Sequence, residues 1–211
     1  ESQPLTVTAT SSNPAFIPNP SVIYQTPNAT GSLTFTPAAN SNGTATITVT
    51  VMDDAGSNNV FSQAFTVTVN AVNDPPTLDS IADLVVAEDS PQQTVNLTGI
   101  GAGAPNESQT LVVTATSSNP AFIPNPSVVY QTPNATGSLS FTPAANSNGI
   151  ATITVTVMDN AGSNNVFSQA FTVTVNPVND LPVVSNIAPQ TMFEDTTLVV
   201  NFTAFDYETP A

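Results

Sequence analysis

Residues 1–74 return at 107–180 without a gap, 106 positions further on, and only seven of the letters change, among them Thr6/Val112, Thr44/Ile150 and Asp54/Asn160. Self-similarity at a fixed period settles architecture before any residue-level argument. A period of this length is too long for a solenoid turn and fits one small domain. The repeat is out of phase with the chain. Val72-Asn73-Asp74-Pro75-Pro76 and Val178-Asn179-Asp180-Leu181-Pro182 each follow a strand-like run, FTVTVNAV (65–72) and FTVTVNPV (171–178), and precede a fresh apolar stretch. Proline cannot donate a ladder hydrogen bond, so each segment ends a strand and stiffens its exit. These joints divide the chain into 1–74, a first repeat expected to lack its opening strands, 75–180, a complete repeat, and 181–211, the opening strands of a third. The start at Glu1 and the cut phase are expected of an excerpt from a longer array. The alternative is that 181–211 is a donor segment completing the first repeat of a neighbouring chain.

Within a repeat, apolar residues alternate with Thr along LTVTAT (5–10), GSLTFTP (31–37), TATITVTVM (44–52) and SQAFTVTVN (62–70). That period of two belongs to strands with one buried face. Leu5, Val7 and Ala9, with Leu33, Phe35, Ile47, Val49, Val51, Phe65, Val67 and Val69, are expected to point inward. Thr keeps β-propensity on the other face without exposing apolar area. Turn signals separate the runs, such as Ser12-Asn13-Pro14, Asn40-Ser41-Asn42-Gly43 and Asp53-Asp54-Ala55-Gly56. Strands resume after the joint at Leu84-Val85-Val86 and Thr94–Thr98. Seven or so short strands in about 100 residues, with no helical stretch, predict an all-β chain of tandem immunoglobulin-like β-sandwiches arranged end to end.

Charge narrows what such a chain can do. It carries 15 Asp and Glu and no Lys, Arg, His, Cys or Trp. Each carboxylate must therefore be solvated, hydrogen-bonded to neutral donors or matched by an external cation. With no basic side chain, neither nucleic acid nor an anionic membrane surface is a partner. No apolar run is long enough to span a bilayer in this segment. Triads, Schiff bases and phosphate clamps cannot be built without His, Cys, Lys or Arg. A carboxylate pair for glycoside hydrolysis is the one catalytic chemistry the composition permits, but the acids cluster at turns and domain ends. The expectation is that the chain is not an enzyme. The absence of disulfides and of Lys–Asn crosslinks leaves stability to core burial and to whatever binds.

Acids come in pairs at the ends of the units: Glu88-Asp89, Glu194-Asp195, and Asp206 with Glu208. Two carboxylates about 4 Å apart repel by roughly 4 kcal/mol at an effective dielectric near 20. Calcium takes six to eight oxygens from carboxylates, amides and backbone, and needs no nitrogen or sulfur. It is the natural counter-charge, unless the acids sit apart in solvated turns. Asp53 and Asp159 fall in a late hairpin turn, where a turn role is expected.

The V-N-D-x-P joint, the acid pair 14 residues later and the Phe205–Ala211 segment FDYETPA together resemble the tandem cadherin-like repeats of large bacterial surface proteins. The resemblance implies an extracellular, cell-surface location and calcium bound between consecutive repeats. By position it assigns Glu88 to an early ligand, Asn179-Asp180 to the linker, and Asp206 and Glu208 to an acidic pair beyond it. A middle acidic pair corresponds only to the neutral Asn146 and Asn148. The linker's leading acid is replaced by Ala71 and Pro177, and Gly101-Ala102-Gly103 stands where the later repeat has Asp206-Tyr207-Glu208; Glu107 in a longer loop is the substitute. The metal candidates are thus Asn73, Asp74, Glu88, Asp89, Glu107, Asn179, Asp180, Glu194, Asp206 and Glu208, with one or two Ca2+ per joint.

The function this implies is a calcium-rigidified spacer in an adhesin-like protein, whose partners are neighbouring repeats of the same protein. Near-identical repeats suit a spacer better than a module needing one differentiated pocket. Two other readings stay open: a fibre or sheath subunit assembled head to tail by strand donation, and a carbohydrate-binding module.

Overall fold

The computed structural model describes residues 3–206, and among these every regular element is a strand. The described residues up to Asp74, with Ala102–Ser108, form one compact unit; Pro75–Gly101, with the chain from Gln109 onward, forms a second. The chain passes from the first unit to the second after Asp74, and the loop Ala102–Ser108 folds with the first unit. No described helix is long and apolar enough to cross a membrane.

The first unit contains β1 (Leu5–Ser11), β2 (Ser21–Ile23), β3 (Ser32–Thr34), β4 (Gly43–Asp53) and β5 (Val60–Val69). β1, β4 and β5 form an antiparallel sheet in that order, and β2 pairs with β3. Threonines face each other on the outer side, Thr8 opposite Thr50 and Thr10 opposite Thr48. Thr50 and Ser62 join their hydroxyls across the β4–β5 ladder at 2.9 Å, the cross-strand pairing that steadies a polar sheet face. The inner face gathers Ala9, Ile17, Ala45 and Ile47, with Phe16, Val22, Leu33, Phe35, Val49, Val67 and Val69 packed around them.

The second unit repeats these strands as β8 (Leu111–Ser117), β9 (Ser127–Val129), β10 (Gly137–Phe141), β11 (Gly149–Asp159) and β12 (Val166–Asn176), and adds β6 (Leu84–Ala87) and β7 (Gln93–Leu97) before them. Those two additions complete a seven-stranded sandwich. β6 runs parallel to β12, Leu84 beside Val173 and Val86 beside Val175. The four-stranded sheet is therefore β6-β12-β11-β8. β7 runs antiparallel to β10, Leu97 opposite Gly137 and Val95 opposite Leu139, which makes the three-stranded sheet β7-β10-β9. Leu97, Leu139, Ile153, Val155, Val157, Phe171, Val173 and Val175 are all buried.

The two extra strands decide how far identical sequences bury. Phe171 is 2% exposed, whereas its counterpart Phe65 is 42% exposed; Leu111 is at 6% and Leu5 at 38%. The expectation that Leu5 and Phe65 point into a closed core is therefore corrected. Their alternation is right, but in the first unit β5 is an edge strand, paired with β4 on one side and with no strand on the other among the described residues. β3 also stops at Thr34 instead of running to residue 37, because β10 gains its length by pairing with β7 along Gly137–Phe141.

After the second unit's last long strand come β13 (Val183–Val184) and β14 (Ala204–Phe205), paired antiparallel. Ser185 N donates to Thr203 O at 2.8 Å and Thr203 N to Ser185 Oγ at 3.0 Å. The segment they clasp is exposed almost throughout, including Met192, Phe193, Val199 and Phe202.

Candidate functional site: acidic strand ends

Glu88 follows the last residue of β6, where the parallel ladder with β12 ends. Its N–H donates to Asn176 O at 2.8 Å, one step past the Ala87–Asn176 pair. The next residue of that segment, Pro177, has no N–H, so the first backbone donor beyond it is Val178. That N–H donates to Glu88 Oε1 at 2.6 Å. Glu88 is only 6% exposed, and a charge-assisted bond to a backbone amide compensates a buried carboxylate in a chain without cations.

Asp89 sits at φ 59, a left-handed conformation that Asp tolerates better than most residues. Its Oδ1 accepts from Asn146 N at 3.0 Å. The acid pair thus ties the β6–β7 turn to the exit of β12 and to the β10–β11 loop. Both expected ligands hold backbone amides. Asp53 and Asp159 follow the expected turn chemistry, accepting from Ala55 N at 2.9 Å and Ala161 N at 2.8 Å.

In the first unit the corresponding work falls to Glu107. Its Oε1 accepts from Asp74 N at 2.8 Å and its Oε2 from Ala104 N at 3.3 Å. Asn106 Nδ2 donates to Asn42 Oδ1 at 3.0 Å. Asp74, Asn106 and Asn42 line a cavity of about 220 Å³, together with Asn40, Asn70 and Val72. Its polar lining is rich in amide and carboxylate oxygen and contains no basic group, a donor set that suits a hard cation. Asn73 and Asn179 each turn the side-chain amide onto the following carbonyl, Asp74 O at 3.1 Å and Asp180 O at 2.7 Å.

The structure brings Asp74 and Glu107 together, and Glu88 to the segment just before Asn179. It does not gather the rest: among the described residues no group of three acids is poised around one point. Glu194 is exposed, Asp206 is half-buried, and Glu208 lies outside the described residues. A cation at the Asp74–Glu107 end would draw on few carboxylates and more on Asn and backbone oxygens.

Two acids that the sequence reading passed over have defined roles. Asp83 Oδ1 accepts from Thr172 N at 2.6 Å, and Asp79 Oδ2 accepts from Thr98 Oγ1 at 2.8 Å. The available signal was positional: Asp83 immediately precedes β6, where a short side chain can cap the neighbouring strand.

Residues 3–70 match a family model described as a cadherin-like domain, and residues 73–176 match one described as a bacterial Ig domain. Among solved structures, S-layer protein SbsC domains 4 and 5 are 20% identical with a TM-score of 0.35, over 81% of this chain and 70% of that one. The human Desmocollin-1 ectodomain is 16% identical with a TM-score of 0.46, over 84% and 36%. Protocadherin Gamma B2 extracellular cadherin domains 3–6 are 15% identical with a TM-score of 0.45, over 98% and 51%. The chain thus spans about half or less of those two cadherin structures. No curated protein matches. Two adjoining family matches, on a chain whose regular elements are strands throughout, identify it as a tandem of bacterial cadherin-like, immunoglobulin-like β-sandwich repeats.

Proposed function

We propose that this chain is a spacer of an extracellular structural array, a rod whose linkers are stiffened by calcium bound at the acidic strand ends. One observation carries the reading: Asp74 and Glu107 are held together by the bond from Asp74 N to Glu107 Oε1, beside a cavity lined with Asn and Asp, in a chain that owns no cationic side chain. Calcium is the chemistry such oxygens recognise. Bound there, it would relieve repulsion that the protein cannot relieve itself. Asn179, Asp180 and Glu88 supply the same residue types in the second unit, and Asp206 adds one beyond it.

Nothing in the composition supports catalysis, and the acids near the strand ends are occupied with backbone amides. Near-identical repeats fit a role in which length and stiffness matter, with adhesion carried elsewhere in the larger protein. Extracellular calcium sites of this class bind at about 0.1–1 mM, and an ion at a hundred times its dissociation constant adds about 2.7 kcal/mol. That is a large part of a small domain's net stability. Calorimetric titration of the 211-residue chain with calcium tests the proposal, with Asp74→Ala and Glu107→Ala as variants. Millimolar binding that both variants weaken is the expected result. Absence of calcium heat in the unaltered chain would remove it.

A further inference from the structure

One edge of the four-stranded sheet is closed by side chains instead of by a neighbouring strand. β8 pairs with β11 along its inner side, Leu111 opposite Asp159 and Ser117 opposite Ile153. Ser118 N donates to Thr152 O, so the even-numbered residues bond inward to β11. The N–H groups of Leu111, Val113, Ala115 and Ser117 therefore face away from it. The two at the ends of that row are taken. Leu111 N donates to Thr132 Oγ1 at 3.2 Å, and Ser117 N donates to Asn125 Oδ1 at 2.9 Å.

The same two bonds recur one period earlier. Leu5 N donates to Thr26 Oγ1 at 3.3 Å, and Ser11 N donates to Asn19 Oδ1 at 2.8 Å. Each set of four residues lies within its own unit. The capped edge is thus a property of the repeat itself, built twice from the same residues.

Both acceptors come from the chain that enters and leaves β9. Asn125 sits in Pro124-Asn125-Pro126, just before β9, and Thr132 precedes Pro133, just after it. Those three prolines supply no N–H, so the segment closes the edge of β8 without offering a ladder of its own. Asn19 and Thr26 stand in the same setting, beside Pro18, Pro20 and Pro27.

Such an edge is a hazard among near-identical repeats, because it is complementary to itself. Laid antiparallel about Thr114, two copies of β8 bring Val113 opposite Ala115 and Leu111 opposite Ser117. The apolar side chains of both strands then share one face, and Thr114 and Thr116 share the other. We propose that Asn125 and Thr132, with Asn19 and Thr26 in the first unit, are edge guards that keep this strand from pairing with the same strand of a second copy. By occupying the donors at both ends, they leave only the Val113 and Ala115 pairs, too short a ladder to hold two copies together. Without them the ladder runs the length of the strand and joins two four-stranded sheets into one. Misassembly of this kind is the characteristic failure of repeat proteins, and the guards let identical units stand side by side as separate folds.

The chain has no cysteine, so a single introduced one reports the pairing. The 211-residue chain carrying Asn125→Ala and Thr132→Val is compared with the unaltered chain in chelator, below the onset of melting, with circular dichroism verifying that both are folded. Sedimentation is expected to show self-association at least about tenfold tighter in the variant. Thr132→Ser in place of Thr132→Val keeps one acceptor and should give a smaller increase. Thr114→Cys, at the centre of the pairing, should form disulfide-linked dimers in the unguarded chain at least about tenfold faster than Thr116→Cys, which would face Val112 of the other copy. If the double variant does not fold, Asn125→Ala alone is read in the same way. A folded, unguarded chain that sediments like the unaltered one overturns the proposal, as does equal crosslinking at positions 114 and 116.

Discussion

Val178 N donates to Glu88 Oε1 at 2.6 Å across 90 residues of chain, and so a glutamate at the end of one strand holds the exit of another. The bond joins the end of β6, the first strand of the second unit, to the exit of β12. In a chain without cationic side chains it shows how a buried carboxylate is accommodated by backbone amides alone. The same logic recurs at Asp89, Glu107 and Asp83, each accepting from an N–H distant in sequence.

Removing that acceptor leaves Val178 N without the carboxylate it donates to. Glu88→Ala is expected to lower the unfolding free energy of the second unit by about 1–3 kcal/mol, and Glu88→Gln by less, since an amide oxygen can still accept. Urea denaturation in chelator measures both. Equal losses for Ala and Gln would contradict the hydrogen-bond account.

Identical strands should differ in stability according to what covers them. Hydrogen exchange at β5 is expected to be at least about tenfold faster than at β12, because opening β5 exposes little further apolar surface. Mass spectrometry on peptides from 60–69 and 166–176 reads the difference at low protein concentration.

The same contrast appears in mutational cost. Phe171→Ala should destabilise its unit by about 3–5 kcal/mol, the usual range for a buried phenylalanine. Phe65→Ala, starting from 42% exposure, should cost less than half as much. Two-stage denaturation curves of the two variants separate the effects. Equal costs would mean that β5 is covered in solution.

Gly99 adopts φ 67, and a Cβ there would overlap the Asp79 carboxylate that accepts from Thr98 Oγ1. Gly99→Ala is therefore expected to lose about 1–3 kcal/mol through backbone strain and a displaced Asp79. Asp79→Ala in the same background should recover part of the loss, which thermal melting of the pair of variants checks.

Much of this fold is legible in the sequence. The alternation of Thr with Val and Ile marks the long strands within a residue or two, whereas of the two Pro-containing joints only the first lies where the chain passes from one unit to the other, the second falling inside the second unit. Burial was less legible, because whether Phe65 is covered depends on strands that its own repeat does not contain. The acids were legible as a set but not in their partners. Glu88 meets Val178 only because β6 lies parallel to β12, a pairing that no local pattern specifies. The expected ligand role of these acids is not specified by spacing either, since Glu88, Asp89 and Glu107 each accept from a backbone N–H distant in sequence. Asp79 and Asp83 were passed over because their roles depend on which strand lies beside them.

The claim on which the functional reading rests is that the acidic ends of these units take up calcium. Thermal melting of the 211-residue chain in about 10 mM calcium, a hundred times a dissociation constant of about 0.1 mM, and in chelator tests it most directly. A site worth about 2.7 kcal/mol raises the midpoint of a unit this size by about 10 °C, and Asp74→Ala or Asp180→Ala should remove a good part of that rise. Superimposable curves with and without calcium, in the unaltered chain, would contradict it.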